Sequence, residues 1–338
     1  MANKRILAIA LIICFGISMS ISIPIAILSA YFLPFNIISE TCKFEYKPYN
    51  SSAIEELNLI VDVGNIQIQY ITSPVDYYAM IEVNFDMVGY SLFGKNSLYY
   101  FSLPDNKSFT KTFIMERKSD TDWFDTSKWI KQDVDIIVTV NANILYNINA
   151  IINEEGNVEM NVPGGVKIND LSVNINDGDA LLDFSYCTIE GKVTGNVING
   201  DIELKINNVV YTRDNVLNLS SDSGIILFDI LQTKKMGLNI SGRGITNTGA
   251  IKVKYRDDSP DIGATFIFYN FTGKFEGGGV NIVNSWSGFN DPNPLDLPYL
   301  GYIFTSKDFP SESNYKISLF FKHPQSNSQY CTINLTSF

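Results

Sequence analysis

The chain has 338 residues and a formal net charge of −11, with arginine confined to Arg5, Arg117, Arg213, Arg243 and Arg256. A surface of that sign repels phosphate backbones, which excludes nucleic acid as a natural partner. The single histidine, His323, stands near no nucleophile-elbow sequence and no metal-ligand spacing, so histidine-dependent acyl transfer and zinc chemistry find no support.

From Ile6 to Phe35 there is no charged residue, and about 20 helical residues already span a hydrocarbon layer. Residues 6–35 therefore read as one transmembrane signal-anchor helix, with Pro24 kinking or dividing it because proline removes a backbone donor. Lys4 and Arg5 precede the run and the next basic residue is Lys43. This asymmetry leaves residues 1–5 in the cytoplasm and the rest of a single-pass protein outside the cell membrane. A cleaved signal peptide is the competing reading, with Ser18-Met19-Ser20 as the cut site. Cutting there leaves the strongly apolar stretch from Ile21 to Ile38 on a soluble domain, so the anchor is preferred.

Residues 36–56 read as a polar connector. Alternation with period two, the mark of a strand with one buried face, then begins at Leu57, Leu59, Val61 and Val63. At Gly64-Asn65 the phase slips to Ile66, Ile68 and Tyr70, which predicts a turn or bulge. Tyr78 to Phe85 and Phe109 to Met115 are further strands, and Ser119 to Gln132 reads as a loop with a short helical turn. The clearest strand signal is Val134 to Ala150, where every even-numbered residue is apolar. Together these make a β-strand region over residues 57–152.

From residue 153 to 284 a repeat appears, in which a polar turn with glycine precedes an alternating apolar run. Its members are Gly156-Asn157-Val158, Gly178-Asp179-Ala180, Gly200-Asp201-Ile202, Gly224-Ile225-Ile226, Gly249-Ala250-Ile251 and Gly278-Gly279-Val280. Successive glycines are 22, 22, 24, 25 and 29 positions apart, a period of stacked repeat architectures. With no helical stretch in any unit, the expected fold is all-β, a β-solenoid whose coils bury their apolar positions against their neighbours. Residues 285–338 leave the period, with strands at Tyr315 to Phe321 and Tyr330 to Leu335, and read as a β cap. Trp286, Phe289, Tyr299 and Tyr302 there either cover the open end or form a contact surface, and the first is preferred.

The N-terminal anchor, the alternation of Val134 to Ala150 leading into Gly156-Asn157-Val158, and turns such as Asn199-Gly200-Asp201-Ile202-Glu203-Leu204 resemble the "putative adhesin" family of unknown function. These are membrane-anchored bacterial and archaeal envelope proteins with a β-solenoid domain. The resemblance spans roughly Glu56 to Val283, implies adhesion by analogy and brings no catalytic residues with it. The irregular spacing after Gly224 and the long C-terminal tail depart from the pattern.

Cys14 lies inside the apolar run, Cys187 reads as a core residue, and Cys42 with Cys331 is the candidate disulfide in an oxidising compartment. Asn50, Asn106, Asn218, Asn239, Asn270 and Asn334 are glycosylation acceptors by sequence, at about the number composition gives by chance. Asp177, Asp179 and Asp201 flank two successive repeat glycines. They are candidates for calcium, which takes oxygen ligands, or for paired carboxylates of a carbohydrate-active enzyme. The bland reading, solvated turn residues, is preferred because Asn, Asp and Gly are what corners require. No catalytic or cofactor-binding residue is assigned and no cofactor is expected. The expected function is therefore non-enzymatic, in adhesion, scaffolding or envelope interaction. Its partners are the membrane through residues 6–35 and a surface protein or carbohydrate; the enzyme is the alternative.

Overall fold

Alternation becomes strand almost everywhere it occurs. The computed structural model describes residues 35–47, 49, 54–72, 77–90, 99–102, 108–117, 128–213, 215–232, 240–256, 262–269, 293–294, 301–305, 315–322 and 333–336. Every regular element among them is a β-strand, as the all-β expectation requires. Twenty of these strands join in one large mixed sheet and three in a smaller one. Among the described residues no helix is long and apolar enough to cross a membrane. Residues 1–34, which hold nearly all of the expected anchor, lie outside them.

The chain divides into two units. One comprises Met1–Glu40, Phe85–Ser97 and Ser119–Asp133, and its described residues are segments of the strands Phe35–Tyr46, Ala79–Tyr90 and Lys128–Asn141. The other comprises Thr41–Asn84, Leu98–Lys118 and Val134–Phe338, and it contains three parallel ladders.

In the first ladder Glu55–Val63 pairs with Tyr146–Glu155, which pairs in turn with Leu171–Asp177, Val193–Asn199, and the leading half of Asn215–Leu231. In the second, Asn65–Ile71 lies between Lys128–Asn141 and Val158–Val162, followed by Ala180–Ser185, Ile202–Asn207 and the trailing half of Asn215–Leu231. The third is short and joins Lys167–Ile168, Thr188–Ile189 and Val210–Tyr211. The Ile240–Arg256 strand extends the first two ladders together, in unbroken register with Asn215–Leu231 except at one position near the corner.

Parallel register turns each alternating pattern into a column of buried side chains. Leu57, Ile148, Leu171, Val193 and Leu217 are successive partners in the first ladder. Ile136, Ile66, Val158, Ala180, Ile202, Ile226 and Ile251 are successive partners in the second. All twelve are buried. Since each apolar side chain stacks on its register partners in the neighbouring strands, no single strand buries its apolar face alone.

The corners between the first two ladders carry a column of glycines. Gly64, Gly156, Gly178, Gly200 and Gly224 all have positive φ, between 133° and 155°. Space is a second constraint: a Cβ on Gly178 would lie 2.0 Å from the Gly156 carbonyl oxygen, and one on Gly200 2.1 Å from that of Gly178. The backbones touch there, held by ladders on both sides. Gly249 is the register partner of Gly224, and Gly278 lies outside the described residues.

Four local expectations need correction. Val134 to Ala150 is two strands, because residues 142–145 turn a corner. The Asn143 N–H donates to Asn141 Oδ1 at 3.0 Å and the Ile144 N–H to the Asn141 carbonyl at 3.2 Å, an Asx-type turn. That corner has an even number of residues, so the apolar parity passes through it unbroken. Lys128 to Gln132 belongs to a strand where a loop was expected, and Phe35–Tyr46 is a strand within what read as the anchor's end and a polar connector. Finally, Tyr315–Lys322 and Ile333–Thr336 are the expected late strands, but they extend the first and second ladders in parallel register with Ile240–Arg256.

Gly200→Ala is expected to cost roughly 3–5 kcal/mol, because it combines an unfavourable φ with a backbone clash. Gly195→Ala is expected to cost about 1 kcal/mol, since its nearest obstacle is the Leu219 side chain at 3.0 Å. Urea midpoints of the two variants check the difference.

Candidate functional site

The acids picked out by the repeat stand beside the glycine column. Each corner glycine is followed by Asn65, Asn157, Asp179, Asp201 or Ile225, and each polar side chain in this series reaches the backbone N–H that follows the next corner glycine. Asn65 Oδ1 accepts the Asn157 N–H at 3.2 Å, Asn157 Oδ1 the Asp179 N–H at 2.7 Å, Asp179 Oδ1 the Asp201 N–H at 2.8 Å, and Asp201 Oδ1 the Ile225 N–H at 2.7 Å. Strand ladders end at corners, so a corner N–H needs a side-chain partner. Amide and carboxylate oxygens serve equally in this column, which makes the acceptor, rather than the charge, the common property.

Asp177 lies on the other side of Gly178, exposed, and its carbonyl accepts the Gly156 N–H at 2.9 Å. Asp179 and Asp201 are exposed in one column. The structure thus brings Asp179 and Asp201 together along an edge and sets Asp177 apart from that column. Among the described residues no three Asp, Glu, His or Cys side chains gather as metal ligands.

A second corner repeats the device with residues that sequence reading passed over. Asn147 Oδ1 accepts the Asn169 amide at 2.7 Å and the Asp170 N–H at 3.3 Å, and Asp170 Oδ1 accepts the Lys192 N–H at 2.7 Å. On the next corner, buried Gln232 both accepts the Val209 N–H and donates to the Val209 carbonyl. The signal available in the sequence was the recurrence of Asn or Asp at 22- and 23-residue offsets.

The two large ladders present different outward faces. On the second, Asp183, Lys205, Asp229 and Lys254 are successive partners of alternating sign. Lys254 Nζ lies 3.7 Å from Asp229, and Lys205 Nζ 3.2 Å from Glu203. Such pairs favour one register over its neighbours. On the first, Asn58, Asn149, Ser172, Thr194, Asn218 and Arg243 form one outward row, and Ile60, Ile151, Asn174, Asn196, Ser220 and Ile245 the next.

Asn218 is the only glycosylation acceptor whose side chain is described. It is half-buried in this face, and Ser220 of its acceptor sequence donates to Asn196 Oδ1 at 2.7 Å. Asn334 lies in Ile333–Thr336, paired with Lys252. Asn50, Asn106, Asn239 and Asn270 lie outside the described residues, as do Cys331 of the candidate disulfide, His323, Trp286, Phe289 and Tyr299. Cys42 is half-buried in Phe35–Tyr46. Cys187 is a core residue, and burial pushes its thiol up to about 12.

One cluster of charge sits inside the core. Lys111 is the register partner of Leu57 and points inward like it, fully buried. Its Nζ donates to the Ser108 carbonyl, lies 3.9 Å from Glu55 Oε2, and stands 6.0 Å from the centre of the Tyr78 ring. Glu55, also fully buried, accepts the Tyr49 N–H at 2.9 Å. Tyr146 donates its hydroxyl to the Tyr78 carbonyl at 2.5 Å. Burial, with Tyr146 and Glu55 adding to it, raises the Tyr78 phenol far above its usual range, so it stays neutral.

Two expectations follow. Asp179→Asn should leave the melting midpoint nearly unchanged, because the amide at Asn157 already does the same task, whereas Asp179→Ala should cost about 1 kcal/mol. A calcium site or a catalytic acid at Asp179 would instead make Asp179→Asn lose calcium-dependent stabilisation or activity while its melting midpoint without calcium is kept. Lys111→Met alone should cost roughly 3–5 kcal/mol by leaving Glu55 buried beside an apolar group, and Lys111→Met with Glu55→Leu should recover most of that loss in chemical denaturation.

No protein-family model matches the chain, and no curated protein matches it. Among solved structures it is similar to a "putative cell adhesion protein" from Clostridium sporogenes ATCC 15579. That match is 13% identical, covers 89% of this chain and 100% of that one, and has a TM-score of 0.35. It is also similar to a "putative adhesin" from Bacteroides fragilis NCTC 9343, 11% identical, covering 88% of this chain and 97% of that one, with a TM-score of 0.33. Both likenesses are distant, and neither carries weight beside this chain's own geometry.

Proposed function

We propose that this chain is a membrane-anchored, extracytoplasmic β-solenoid that acts without catalysis, as an adhesive or scaffolding element of the cell envelope. The observation that carries the reading is the continuous parallel register over successive circuits, from Glu55–Val63 to Ile240–Arg256 in the first ladder, with its column of touching glycines. Stacked circuits of this kind offer broad, regular side-chain faces on a stiff frame, which is what repeated weak contacts require.

The corner acids support the same reading. A carbohydrate-active enzyme needs two carboxylates with different surroundings, one kept protonated and one ionised. Asp179 and Asp201 have matching surroundings instead: both are exposed, and one oxygen of each holds the next circuit's N–H. The anchor rests on the charge-free run 6–35 and on the Lys4-Arg5 asymmetry.

The test uses cells expressing the full chain with an N-terminal and a C-terminal tag. Protease added to intact cells is expected to remove the C-terminal tag and spare the N-terminal one, and the cells are expected to settle on a surface or on each other several-fold more than cells without the protein. A protected C-terminal tag overturns the orientation, and unchanged settling overturns the adhesive role. Release of reducing sugar that disappears with Asp179→Asn would overturn the non-enzymatic reading.

A further inference from the structure

We propose that Lys111 and Glu55 condense inside the folded chain, forming an amide (isopeptide) bond between Lys111 Nζ and Glu55 Cδ with loss of one water. Both side chains are fully buried. They lie on neighbouring parallel strands, Glu55 at the start of Glu55–Val63 and Lys111 near the start of Thr110–Arg117. The register pairs Lys111 with Leu57, and Glu55 stands two residues before Leu57 on the same inward side. This brings Nζ to 3.9 Å from Oε2.

That spacing is poor for an ion pair and close to what a reaction needs. A charge-assisted hydrogen bond closes to about 2.7–2.9 Å, and a buried pair offsets its desolvation only when its geometry is that good. Groups fixed on adjacent strands need only a small approach to reach the separation of about 3–3.5 Å from which bonds form, and no bimolecular encounter is required. Condensation also removes both buried charges and leaves a neutral amide in their place. Lys111 Nζ donates to the Ser108 carbonyl, and the amide N–H that remains after reaction keeps a proton for that bond.

The step balances without any co-reactant. One ammonium proton passes to the carboxylate, the freed nitrogen pair attacks Cδ, and the N–C bond forms. A second nitrogen proton moves to the hydroxyl carried by Cδ, the C–O bond breaks and water leaves, with nothing oxidised or reduced. Tyr78 interacts with the Glu55 carboxyl and stays neutral. Its hydroxyl is therefore the donor to the oxygen that gains charge during attack.

The experiment is tryptic peptide mapping by mass spectrometry of the full chain, purified in detergent after folding in cells. One branched peptide is expected, joining the segment that holds Glu55 to the segment that holds Lys111, about 18 Da lighter than its two arms together and uncut after Lys111. Lys111→Met with Glu55→Leu is expected to yield no branched peptide. Tyr78→Phe is expected to slow the bond at least about tenfold, read as bonded fraction against time after synthesis; an unchanged rate overturns the part given to its hydroxyl. Separate, unbranched peptides from folded chain stored for days overturn the inference, and so does a water loss that maps elsewhere, such as a succinimide at Asp177-Gly178. The stability losses given above for Lys111→Met and for the double variant refer to the unbonded chain. Against the bonded chain both melt lower, because the bond closes residues 55–111 into a loop and removes freedom from the unfolded state.

Discussion

Backbone contact at the glycine column governs how this protein is put together. The Gly156, Gly178, Gly200 and Gly224 corners lie so close to the glycine before them that a Cβ on any would fall within 2.1 Å of a carbonyl oxygen. Such an approach is possible only where the paired strands keep the same path and the same register at the corner. Once it is met, parallel pairing on both sides follows, and each alternating run delivers its apolar side chains into shared columns. The hydrophobic core and the corner are in that sense linked: slipping one strand by a residue would turn its apolar positions outward and drive its corner into its neighbour.

The same geometry accounts for where the polar groups go. At a corner the ladder hydrogen bonds lapse, and buried or crowded N–H groups without partners are costly. Asn65, Asn157, Asp179 and Asp201 meet that need on one corner, Asn147 and Asp170 on another, and Gln232 on a third. Residues that looked chemically suggestive in the sequence are thereby tied to the frame. On the broad outward faces the composition differs, with alternating charge along one row of the second ladder and amides, hydroxyls, isoleucines and Arg243 on the first.

Lys111 and Glu55 mark the place where the aliphatic stack gives way to another kind of interior. Tyr78 and Tyr146 pack edge to face there with ring centres 4.6 Å apart, and Glu55 ties Tyr49 to the core through its backbone N–H. A buried ion pair adds little net stability over an apolar pair of the same shape, but it tolerates few alternative partners. Lys111 and Glu55 thus join Thr110–Arg117, Tyr49 and Glu55–Val63 at one buried point.

By itself the sequence determined most of the strands, through alternation, and most of the glycine corners, through glycine followed by Asn or Asp at steps near 22 residues, but not the strand Phe35–Tyr46 or the start of Lys128–Asn141. Both signals are local: parity follows from the pleat and turn chemistry from a few adjacent residues. It also made Cys187 legible as a core residue and Asp179 and Asp201 as corner residues. Tertiary structure alone decided that Gly64 and Asn65 join the column of Gly156 and Asn157, across a separation of 92 residues. It decided too that Val134 to Ala150 turns midway and that Lys111 points inward opposite Leu57. These outcomes depend on which strand lies beside which, a choice made by long-range packing and register, and periodicity within one segment carries no record of its neighbours.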